Sequence, residues 1–96
     1  MDGSSALALA LGHLHNASGA FIAKEDSSGE SLFLAAECME LEGLFADLGI
    51  VPELVELGMD AVESVQAASR TLERAPGSVP LELWCAVEAL RARASR

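Results

Sequence analysis

The chain has 96 residues, 51% of them hydrophobic, with three phenylalanines, one tryptophan and no tyrosine. Six basic residues face fifteen acidic ones, for a formal net charge of −9. That balance repels duplex nucleic acid and anionic membrane surfaces alike, and the length fits one domain, 1–96.

Alanine and leucine supply most of the apolar content, which favours helix because both lose little on entering one. The first segment, about residues 4–24, places Leu7, Leu11, Leu14, Ala17 and Phe21 at helical steps. Gly19 weakens this helix and is a point where it could break. The run from Ala6 to Leu11 has only Asp2 before it and no basic region, so no secretory signal is expected. No apolar stretch is read as long enough to cross a bilayer. The pair His13-x-His15 invites a metal reading, but residues two apart on a helix diverge by about 200° around the axis. Chelation from a helix needs spacing of three or four.

A polar turn, Glu25 to Gly29, leads into a second segment, about 30–48, with Leu34, Cys38, Leu41, Phe45 and Leu48 on one face. Cys38 falls on that stripe, where a thiol behaves as a small hydrophobe. Gly49-Ile50-Val51-Pro52 ends this helix and starts the next. The third segment reads as one long helix, about 52–74, with Leu54, Leu57, Ala61, Val65, Ala68 and Leu72 inward. Gly58 and Ala61 would permit close approach of a neighbour. Glu53, Glu56, Asp60 and Glu63 would then form an acidic edge along that helix. Ala75-Pro76-Gly77-Ser78 breaks the chain again, with Ser78 as N-cap and Pro80 in the following first turn. The fourth segment, about 79–94, carries Leu83, Ala86, Val87 and Leu90.

Four amphipathic segments with short connections imply an all-α, antiparallel up-down four-helix bundle with successive helices as neighbours. Leu9, Leu32, Met39, Val55, Met59, Val62, Leu81 and Trp84 lie off the stripes, so a homodimer or partner interface is expected, with Met59 and Trp84 suited to it. From Glu25 to Glu63 there are eleven acidic residues and no basic one, whereas Arg70 to Arg96 holds five arginines and three glutamates. This polarity suits a basic protein partner or head-to-tail contact between copies.

No nucleophile elbow, glycine-rich phosphate loop or cysteine pair with metal spacing is present. An enzyme would have to combine residues such as His13, His15 and Glu40 across an interface. No catalytic residue, metal or cofactor is therefore assigned. The expected function is a non-enzymatic protein–protein interaction module, a small acidic adaptor or regulator in the cytoplasm, acting through Glu53, Glu56, Asp60, Glu63, Met59 and Trp84.

A second reading comes from Gly29-Glu30-Ser31-Leu32 at the head of the acidic second helix. The stretch from Gly29 to Ala68 resembles the acyl carrier proteins, whose Asp-Ser-Leu signature carries phosphopantetheine on its serine. Glu30 stands in place of the aspartate, and Phe33 and Leu34 occupy positions that are usually polar in that family. The resemblance implies Ser31 as an attachment point, or a bundle interior that holds a small ligand. The length and acidity are also similar to those of secreted WXG-type hairpins, but Trp84 sits inside the last segment, not in a central W-x-G turn.

Overall fold

The computed structural model describes residues 3–24, 29–53, 55, 60–74, 77 and 79–95. Four α-helices form an all-α bundle: α1 (Gly3–Ala23), α2 (Glu30–Asp47), α3 (Ala61–Glu73) and α4 (Leu81–Ala94). The stripes drive it. Leu7, Leu11, Leu14, Ala17 and Phe21 of α1 are buried with Cys38, Leu41 and Phe45 of α2, Val65, Ala68 and Leu72 of α3, and Leu83, Val87 and Leu90 of α4. Helix α1 runs unbroken through Gly12 and Gly19.

Helix α1 packs on α2 and α3, and α4 packs on α3 and α2, so the four close into a ring. Each packed pair is antiparallel. Phe21 at the end of α1 meets Ser31 and Leu34 near the start of α2, Val62 at the start of α3 and Ala94 at the end of α4. Helices α2 and α3 are therefore parallel and diagonal, in contrast to the expected order of successive neighbours. Of the link between them, the described residues Glu53 and Val55 lie against α1.

Local chemistry explains why. Helix α2 stops at Gly49, which has a φ of 78°. Gly49 N–H donates to Ala46 O (2.9 Å) and Ile50 N–H donates to Phe45 O (3.1 Å), the paired bonds of a Schellman cap. Pro52 holds Val51, the residue before it, out of helical geometry. Glu53 N–H then donates to Ala8 O of α1 (3.0 Å). Gly12 is the companion of that bond: a Cβ there would lie 2.0 Å from Glu53 O and 3.2 Å from Val55 Cγ1.

The long third helix expected from residue 52 thus starts only at Ala61. Asp60, extended with ψ 174°, is its N-cap, and its carboxylate accepts from Glu63 N–H at 2.8 Å. Asp60 and Glu63 have the spacing of a capping box, a signal that marks the helix start in the sequence itself. Leu54, Leu57 and Gly58 lie outside the described residues, as do Pro76 and Ser78. Helix α4 begins at Leu81 with Pro80 at the N-cap position, not inside the first turn as expected.

The membrane reading also changes. Ser5–Ala23 is 19 residues long with hydropathy 1.2, enough by length and composition to cross a bilayer. In the bundle it is the core helix, packed against α2 and α3.

Candidate functional site

The acidic edge expected on one helix is divided. Glu53 lies exposed beside α1, Asp60 caps α3, and Glu63 stands exposed in its first turn. Glu56 and Met59 lie outside the described residues. Trp84 is half-buried and packs against the core. Among the four that are described, Glu53, Asp60, Glu63 and Trp84 do not share one helix.

The histidines part as their spacing requires. His13 is half-buried beside Arg70 of α3, while exposed His15 pairs through Nδ1 with Glu42 Oε1 of α2 at 2.6 Å. Burial and the Arg70 guanidinium hold the His13 imidazole below its ordinary pKa of 6.5. Its Nδ1 is buried with no hydrogen-bond partner. Both effects disfavour the imidazolium. Among the described residues no group of three or more His, Cys, Asp or Glu side chains could hold a metal ion.

Ser31, in the first turn of α2, is only 4% exposed. Cys38 is fully buried, and burial with the nearby Glu42 charge pushes its thiol up to about 12. Such a thiol is no nucleophile near neutrality. Cys85 is exposed on α4.

What the stripes leave outside is concentrated on α2. Leu32 (62% exposed), Phe33 (75%), Met39 and Leu44 all face solvent from this one helix. Around the axis of α2, Leu32 and Met39 lie on one flank of the core-filling side and Phe33 and Leu44 on the other, about 120° apart, with the outer face of the helix between them. Leu32 and Met39 stand out in the sequence as lying off the stripe. Phe33 and Leu44 are not singled out there, because apolar residues run around much of α2 and the pattern alone does not rank its faces.

Beside this face, α2 and α4 leave a groove. Near its middle and upper part a hollow of about 200 Å³ is lined by Glu37, Glu40, Leu41, Leu44, Ala86 and Ala89 among others. A second hollow, about 340 Å³, is lined by Glu30, Phe33, Leu34, Glu37 and Arg93. Helix α4 contributes Ala86, Ala89, Leu90 and Arg93, and the small side chains of the two alanines leave space. Arg93 of α4 reaches across and pairs through Nη1 with Glu37 Oε1. The other oxygen, Glu37 Oε2, is buried with no hydrogen-bond partner.

On its far side α4 is tied to α3. Ser69 Oγ donates to Glu88 Oε1 (2.6 Å), and Arg91 donates to Glu88 Oε2 through Nε (3.0 Å) and Nη2 (2.8 Å). The Ser69 hydrogen bond, aided by Arg91, holds the Glu88 carboxyl below its ordinary range against the opposing effect of burial. This cluster fixes α4 on α3.

No protein-family model, curated protein or solved structure matches this chain.

Proposed function

We propose that this protein is a non-enzymatic interaction module that binds another protein through the outer face of α2. The observation that carries this reading is the bare apolar surface of Leu32, Phe33, Met39 and Leu44 on a helix that already fills the core with its other side. Isolated exposed apolar residues are ordinary. Four large ones on a single helix, two along each edge of its outer face, offer apolar surface whose removal from water favours association. The acidic character of the chain keeps such a surface soluble, and a cytoplasmic setting accords with the free thiols Cys38 and Cys85.

The test compares the native protein with the double variant Leu32→Glu, Met39→Glu as bait in an extract of its own host. Specific recovery of one protein by the native chain alone, with equal helical circular dichroism for both baits, supports the reading. Identical recovery by both, or turnover of a metabolite by the purified protein, overturns it. The carrier alternative through Ser31 predicts a mass increase after co-expression with a broad phosphopantetheinyl transferase. An unmodified chain is the expected result.

A further inference from the structure

We infer that the groove between α2 and α4 receives an amphipathic helix from a partner protein, with arginine or lysine beside its apolar stripe. In this account Arg93 occupies the place that the partner's cation takes. The inference rests on the interaction reading above and specifies the partner's chemistry.

Shape is the first argument. Phe33 and Leu44 stand eleven residues apart on α2, about 17 Å along its axis, or three helical turns. Between them the groove has an apolar floor of Leu41, Ala86, Ala89 and Leu90. A helix presenting side chains at steps of three and four fits such a seam, as in other helix-in-groove recognition.

Charge decides what kind of helix. Glu30, Glu37 and Glu40 line the groove, and α2 carries five carboxylates with no basic residue. A second copy of this chain would set one acidic α2 against another, with −9 on each molecule. Like charges brought together at an interface oppose association. A basic helix gains where a copy loses.

The groove is also incompletely satisfied. Glu37 accepts from Arg93 through one oxygen, while its second oxygen is buried without a donor. A buried carboxylate oxygen without a donor is costly, and a guanidinium from outside would supply one. Arg93 itself is half exposed near the end of α4. It is a local cation already seated on the acid that a partner would use, and therefore a competitor held in the same chain.

The experiment uses the full-length isotope-labelled protein and two synthetic helical peptides of about five turns. Both carry the same leucine stripe, one flanked by arginines and the other by glutamates. The expected result is that the arginine peptide shifts the amide signals of Leu44, Ala86, Ala89 and Leu90, and the glutamate peptide shifts none. Binding should weaken about tenfold on moving from low to high salt. Arg93→Gln should tighten the arginine peptide several-fold. Glu37→Gln should weaken it, as should Glu40→Gln, an exposed change that spares the fold.

Equal binding of both peptides, shifts that map elsewhere, or no binding overturns the inference. Dilution-dependent shifts without peptide would assign the face to a second copy and overturn it as well. Loss of host capture in the Leu32, Met39 variant without peptide binding removes this inference and leaves the interaction reading. Peptide binding in the groove with unchanged capture does the reverse.

Discussion

Gly12 and Gly19 lie two turns apart on α1 in opposite surroundings. A Cβ on Gly12 would collide with Glu53 O, whereas nothing lies within 4 Å of one on Gly19. Gly12→Ala should therefore cost about 2 kcal/mol and lower the melting temperature by roughly 10 °C. Gly19→Ala, in an exposed helical position, should instead stabilise by about 0.5–1 kcal/mol. Urea denaturation of both variants checks the pair. Equal effects would mean that Glu53 does not rest on Gly12. Of these two glycines the sequence flags only Gly19, because the reason for Gly12 lies about forty residues away in the chain. The thiols differ in the same manner. Cys85 should react with an aromatic disulfide reagent in the folded state at pH 8, and Cys38 only on unfolding, since burial and Glu42 suppress its thiolate. Rapid labelling of both would contradict the packing around Cys38. Its inward placement was readable from the stripe.

At the scale of the element, α2 offers the sharpest contrast. Phe33 and Phe45 are both phenylalanines of one helix, the first bare and the second fully buried. Phe45→Ala should cost about 3–5 kcal/mol, enough to threaten folding of so small a domain. Phe33→Ser should change stability by less than about 0.5 kcal/mol, because its ring has little native packing to lose. Chemical denaturation of the two variants measures the difference. A large loss at Phe33 would show that its ring is held in the monomer and would remove it from the interaction surface. Helical periodicity placed Phe45 inside correctly. It could not place Phe33, since α2 has apolar residues around much of its circumference and the pattern alone does not rank its faces. The third segment failed differently. Its leucines and valines continue a helical rhythm through 52–60, yet Pro52, the Schellman cap and the Asp60 N-cap divide the stretch. Local capping chemistry overrode periodicity there.

For the molecule as a whole, two groups make stability depend on pH with the same sign. His13 has a folded pKa below its ordinary 6.5, so the unfolded chain takes up that proton first as pH falls. Its contribution is full above 6.5 and is lost on acidification from there downward. Glu88 is held below its ordinary 4.5 by Ser69 and Arg91, so its contribution is lost as pH falls below that value. Stability should decline in two stages on acidification. His13→Gln should flatten the upper stage, and Glu88→Gln the lower. A stability profile from pH 7.5 to 3 that is flat in the native protein and in both variants would contradict both assignments.

Sequence alone determined four helical segments, their inward stripes, the glycine that ends α2 and the marked division of charge between acidic middle and arginine-bearing end. Each of these follows from neighbours within a few residues, through propensity, periodicity and capping. Tertiary structure decided that α2 and α3 lie diagonal, that Glu53 and Val55 settle on α1 at Gly12, and that Arg93 meets Glu37 above an open groove. Those outcomes depend on which of several similar apolar faces bury most surface together. Segments far apart in the chain must compete for that burial, and no local pattern records who wins.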